Sequence, residues 1–217
     1  METESRTADW LPRLVAMASA ASTDDAAHDV QHLQRVWASA QVLLARAPEA
    51  DALVVMAACF LHDLVNLPKD APDRAQASKR SAQLARHQLA WLGFPADKLD
   101  AVAHAIEAHS FSAALTPTTL EARIVQDADR LDALGAVGLA RMFYISGRLG
   151  RALAHPLDPL ALHRERDDMA YALDHIEEKL AKLPGMMQTA AGRELAQERL
   201  QWMLAFRDAF VAEWTQA

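Results

Sequence analysis

From Leu53 to Leu61 the chain reads Leu-Val-Val-Met-Ala-Ala-Cys-Phe-Leu, without a polar side chain. A helix that is apolar on every side has no face to give to water, so it belongs at the centre of a bundle. The run falls well short of the roughly 20 apolar residues that cross a bilayer. Helped to start by Pro48, it predicts a helix from about Asp51 to Asp63 around which other helices are laid. That helix ends on His62-Asp63. Placing an imidazole and a carboxylate at the edge of a core is costly unless something compensates the burial.

The surrounding segments agree with a bundle. Nearly every longer stretch has helical period, and no convincing run alternates with period two. Asp24 or Asp25 can cap a helix running to about Arg46, with Val30, Leu33, Trp37, Ala40 and Leu44 as its buried stripe. Asn66 to Asp73 reads as a loop, followed by helices at about 74–92, 96–109 and 120–147. Gly150 to Pro159 is the clearest break, after which helices are expected at about 163–183 and 188–215. In the last, Ala196, Leu200, Met203, Phe206, Phe210 and Trp214 repeat every three or four residues, as a packed stripe does. The fold class expected is all-α, in one domain over 1–217, with a core at about 20–150 and a C-terminal helical part at about 160–215.

Charge and composition remove several function classes. A formal net charge of −7 argues against a general nucleic-acid surface, which needs a basic face. It leaves room for a small anionic substrate, because a pocket can be basic inside an acidic protein. The single cysteine, Cys59, lies in the apolar run, so no intramolecular disulfide forms and a reducing compartment fits. Glu2, Glu4 and Asp9 make the first residues unlike a signal peptide, and no segment has the length of a membrane span. A cytoplasmic location is expected.

Nine histidines invite a search for metal ligands. The His62-Asp63 pair alone reads better as a hydrogen-bonded helix end than as a metal site. Two companions alter that reading. His32 sits mid-helix in His32-Leu33-Gln34-Arg35-Val36, on one face with His28 and Arg35. Asp127 lies in Ile124-Val125-Gln126-Asp127-Ala128-Asp129-Arg130-Leu131-Asp132, where an apolar approach delivers a carboxylate within a helix. Imidazoles and carboxylates together suit Mn, Mg, Ni, Fe or Zn alike, and Mn is taken as a first guess rather than read from the ligands.

In this order and spacing, H…HD…D, the chain resembles the HD superfamily of metal-dependent phosphohydrolases, and most closely its small stand-alone bacterial members. The resemblance runs through His28-Asp29, His62-Asp63-Leu64-Val65-Asn66, His109-Ser110-Phe111-Ser112, the Asp127–Asp132 stretch and the segment from His175 to Thr189. It implies an all-helical HD bundle with additional C-terminal helices, and one divalent metal ion held by His32, His62, Asp63 and Asp127. Asp63 or Asp127 can also orient water, and the sequence does not separate those roles. His28 and His109 are expected to contact substrate, orient water or act as general acid, alongside Asp63. Lys69, Arg74, Lys79, Arg80, Arg130 and Arg141 are the cations available to phosphate. Asn66 stands where some HD nucleotidases carry glutamate, which weighs against an acidic base there. Two-metal members add histidines, one of which would fall near Ser81, so a single ion is expected.

The function implied is hydrolysis of a small phosphorylated molecule, most plausibly a nucleotide, with cleavage of a deoxynucleoside triphosphate to monophosphate and pyrophosphate as the first expectation. The alternatives are an HD-type di-iron oxygenase and a non-catalytic, metal-stabilised nucleotide-binding module. The apolar C-terminal helices can pack within the domain or against a second copy, so a homodimer is a further expectation.

Overall fold

The computed structural model describes residues 2–21, 30–65, 67, 73–110 and 115–215. Asp24, Asp25, His28, Asn66 and Lys69 lie outside them. Among the described residues the chain forms α1 (Glu2–Ala21), α2 (Val30–Leu44), α3 (Ala52–Leu61), α4 (Ala77–Trp91), α5 (Leu99–His109), α6 (Leu120–Leu131), α7 (Gly135–Arg148), α8 (Asp174–Glu178) and α9 (Ala190–Trp214). No strand occurs among them, only an isolated bridge between Ala152 and Tyr171, so the fold is all-α.

α3 is the apolar run. Every residue from Leu53 to Leu61 is buried, and α1, α2, α4 and α5 pack around the helix. Its start is fixed by Asp51, whose carboxylate accepts the amide protons of Leu53 at 3.0 Å and Val54 at 3.2 Å. Lys98, at the head of α5, pairs with that carboxylate, and Glu121 in the first turn of α6 accepts the Asp51 N–H at 3.0 Å. Partial burial pushes the Asp51 carboxyl up, but Lys98 and the two amides outweigh it and hold it below its ordinary value. Three helix beginnings are thereby tied to one residue, through its carboxylate and its amide.

The chain divides into two compact units, Met1–Asp129 and Arg130–Ala217. In the first, α1 has no counterpart in the periodicity argument, because Pro12 interrupts its amide ladder. Its Leu14 and Ala18 are buried, and Trp10 meets Phe94 edge-on at 4.9 Å.

Two expectations about helices need correction. The single helix over about 120–147 is two, separated by a turn at Asp132–Leu134. Gly135, at φ +75°, starts the second, a backbone region costly for residues with a Cβ. Gly138 is required by contact, since a Cβ there would lie 2.2 Å from the Ala133 carbonyl oxygen. Likewise, the helix expected from about 163 begins only at Asp174. Ahead of it, carboxylates capture the backbone amides that a helix would have used. Asp158 accepts from Leu162 and His163 at 2.9 Å each, and Asp174 accepts from Asp167 at 2.8 Å while holding Arg164 through both oxygens at 2.6 and 2.7 Å. In the same unit, Phe143 of α7 packs on Phe206 and Phe210 of α9, at 6.1 and 6.2 Å between ring centres.

Candidate metal centre

The ends and middles of four helices of the first unit bring five metal-ligating side chains together. His32 comes from α2, His62 and Asp63 from the turn closing α3, His109 from the last residue of α5, and Asp129 from α6. His32 and His62 are almost wholly buried, whereas the carboxylates of Asp63 and Asp129 keep 22% and 29% exposure, so the cluster opens on its acidic side. His32 Nε2 lies 3.5 Å from Asp129 Oδ1 and 4.0 Å from Asp63 Oδ2. His62 Nε2 lies 3.8 Å from Asp129 Oδ1 and 3.6 Å from Asp63 Oδ2. Bonds of about 2.0–2.2 Å to one ion would separate its ligands by roughly 3–4.3 Å, and all four distances fall in that interval.

The histidine tautomers follow from their partners. His62 Nδ1 lies 2.9 Å from the Cys59 carbonyl and His109 Nδ1 lies 2.5 Å from the Ile106 carbonyl. A carbonyl only accepts, so each Nδ1 carries the proton and each Nε2 turns a lone pair toward the cluster. His62 Nε2 is buried and has no hydrogen-bond partner, a costly state unless a cation takes the lone pair. The donor set is therefore suited to a divalent metal ion.

His62, Asp63 and His109 form a second converging group, with His109 Nε2 3.9 Å from Asp63 Oδ1. It shares His62 with the group of His32, His62 and Asp129. Since His62 has one nitrogen to give, the two groups compete for one ion rather than hold one each. Burial lowers the His109 pKa, assisted by neighbouring His62 and opposed by Asp129 and Asp63, so the ring is a neutral acceptor. Burial also pushes the Cys59 thiol far up, with Asp129 adding to the shift, which leaves it a packing residue.

The structure brings Asp129, rather than the expected Asp127, into one of the converging groups. Asp127 is fully buried but belongs to neither converging group. Successive residues turn by about 100° in a helix, so positions 127 and 129 point to nearly opposite sides of α6. Asp129 is the one that faces His32 and His62. Both faces are apolar nearby, Ile124 and Leu131 on the side of Asp127, Val125 on that of Asp129, so hydrophobic pattern does not distinguish them.

Several of the expected phosphate-binding cations have partners of their own. Arg130 donates to the Met186 carbonyl at 2.5 Å, and Arg141 to the buried carboxylate of Asp132 at 2.5 Å, which gives each a structural partner in the second unit. Arg80 pairs with Asp73 at 2.7 Å at the surface, and Lys79 is exposed. Arg74 opens a short 3-10 turn ahead of α4, with its side chain outside the described set. Ser81 is fully buried and accepts the Val65 N–H at 3.0 Å, pinning the turn after His62-Asp63 where a two-metal site would need a histidine. Of the remaining histidines, His104 accepts from Thr118, His155 from two backbone amides and His175 bonds Asp168, while His87 and His163 are exposed.

A fold built around a central helix ending in His-Asp, with a histidine and an aspartate supplied from flanking helices, is that of the HD-superfamily hydrolases. The comparisons agree: residues 29–134 match the HD domain family. The uncharacterized protein YpgQ of Bacillus subtilis is 36% identical over 189 residues, covering 85% of this chain and 83% of its own length. The chain belongs to the HD-domain family. The crystal structure of Bacillus subtilis YpgQ in complex with ADP superposes with a TM-score of 0.72 at 32% identity, covering 97% of this chain and 96% of that one. That of an HD-superfamily hydrolase from Bacillus thuringiensis gives 0.74 at 28% identity, covering 97% and 100%.

Proposed function

We propose that the protein is a metal-dependent phosphohydrolase that cleaves a nucleotide, with a deoxynucleoside triphosphate giving the monophosphate and pyrophosphate as the leading substrate. The observation that carries this is the buried, unpartnered Nε2 of His62, set among His32 and two half-open carboxylates. The ADP in the YpgQ crystal structure supports a nucleotide as the ligand. In this reading His32, His62, Asp63 and Asp129 hold one divalent ion, Mn first, and the two units work as one HD-type domain. A bound divalent ion lowers the pKa of water and polarises a phosphoryl oxygen.

The chain's own residues do the rest. Water oxygen bonds to the α-phosphorus, the bridging P–O bond to the β-phosphate breaks, and pyrophosphate leaves with that oxygen. Asp63 orients the attacking water through its exposed side. Neutral His109, 3.9 Å from Asp63 Oδ1, accepts the proton the water gives up. His28, Lys69, Arg74 and Lys79 are the first candidates for the phosphate chain, since Arg80, Arg130 and Arg141 already have partners. No helix among the described residues is long and apolar enough to cross a membrane. The competition of the two ligand groups for His62 weighs against a di-iron oxygenase.

The test is a product assay. Protein stripped of metal is resupplied with Mn, Mg, Ni, Fe or Zn and offered nucleoside mono-, di- and triphosphates, with phosphate and pyrophosphate both followed. Metal-dependent pyrophosphate release is the expected result. Tight nucleotide binding without any release would instead identify a metal-stabilised binding module.

A further inference from the structure

Gln126 of α6 is nearly fully buried, at 3% exposure, and shares a helical face with Asp129 three residues on. Its Nε2 donates to the Ala108 carbonyl oxygen at 2.7 Å. The assignment of the amide is forced, because a carbonyl only accepts. Its Oε1 is buried and has no partner. A buried amide with one end bonded and the other bare contributes little net stability, since the gain from the bond is offset by the desolvated oxygen. An apolar side chain of the same size would serve the core as well. Fold stability alone therefore does not explain a glutamine here.

The bonded carbonyl does. Ala108 C=O belongs to the peptide plane from which His109 hangs, at the C-terminus of α5 where the last carbonyls have no helical partner. Within that turn His109 itself takes the Ile106 carbonyl through Nδ1, and Gln126 takes Ala108. Two bonds thus fix His109, one its ring and the other its backbone, and together they set Nε2 at 3.9 Å from Asp63 Oδ1. α6 delivers both Asp129 to the cluster and, one turn earlier, the clamp on the histidine opposite.

We propose that Gln126 is a positioning residue that acts through His109, an inference that rests on the reading of the cluster as a hydrolytic metal centre. Gln126→Met keeps the volume and removes the donor. Kinetics of pyrophosphate release are compared for the wild type, Gln126→Met, His109→Ala and the double variant, with Gln126→Leu as a second form should Met fold poorly. In parallel, the nitrogen-15 and proton resonances of the histidine rings are recorded on metal-free protein. The expected result is a kcat loss of about 10- to 100-fold with KM unchanged, Mn affinity retained within about twofold, and no further loss when Gln126→Met is added to His109→Ala. The His109 Nδ1–H resonance moves while that of His62 stays. An unmoved His109 resonance, or an equal loss with and without His109, overturns the proposal. A wild-type protein that hydrolyses nothing defeats the hydrolase reading instead, and the ring resonances then decide the Gln126 link alone.

Discussion

Replacing Asp129 by Asn removes one of the two negative charges facing His32 and His62 while keeping side-chain volume. In the wild type Asp129 Oδ1 stands 3.5 Å from His32 Nε2 and 3.8 Å from His62 Nε2. Without it, Asp63 at 4.0 Å is the carboxylate that still faces His32. Loss of an outer-sphere partner typically lowers metal affinity by about 10- to 100-fold, so loss of a charged ligand should exceed 100-fold, or ~2.7 kcal/mol. Asp127→Asn is the matched control, a buried carboxylate on the other side of the same helix. It should cost about 1–3 kcal/mol of folding stability, as changing a buried polar group typically does, yet leave ion affinity nearly unchanged. Mn binding is followed by the paramagnetic resonance of the free aqueous ion, and stability by urea unfolding of the metal-free proteins. If Asp127→Asn abolishes binding and Asp129→Asn does not, the assignment of the fourth ligand is refuted.

Three further outcomes concern the scaffold. Gly138→Ala should destabilise by about 1–3 kcal/mol, because the added methyl meets the Ala133 carbonyl at 2.2 Å; thermal unfolding measures it. Asp174→Ala strips a buried, bidentate partner from Arg164 and should cost about 3–5 kcal/mol in urea unfolding. The Asp51 carboxyl has a folded pKa below its unfolded value of 3.8, so its stabilisation is present above that pH and is lost as pH falls through the folded value. Acid unfolding of Asp51→Asn should accordingly show a shallower decline below about pH 4 than the wild type.

How much of this was legible depended on which physical signal each element carried. The central helix was readable because an uninterrupted apolar run admits one environment, with Pro48 ahead of it and His62-Asp63 at its end marking its limits. His32 and His109 were readable as imidazoles in helices that other residues made amphipathic. The choice between Asp127 and Asp129 was not, since α6 is flanked by core on both sides and carries acids two residues apart. Three-dimensional placement of α2 and α3 decides it. The stretch from about 163 to Leu173 misled for a different reason. Its helical periodicity is outweighed by the carboxylates of Asp158 and Asp174, which bind backbone amides locally. α1 was hidden by Pro12, although its Leu14 and Ala18 bury well. Gln126 carried no sequence signal beyond being polar in an apolar stretch, and only its bond to Ala108 gives it a role.

The most direct test of the account is a titration of metal-stripped protein with Mn in which bound ion and pyrophosphate released from a deoxynucleoside triphosphate are measured in the same samples. One ion per chain should bind, with activity rising in proportion and levelling at one equivalent. Full activity in the stripped protein, or no pyrophosphate at saturation with any of the five metals, would contradict it.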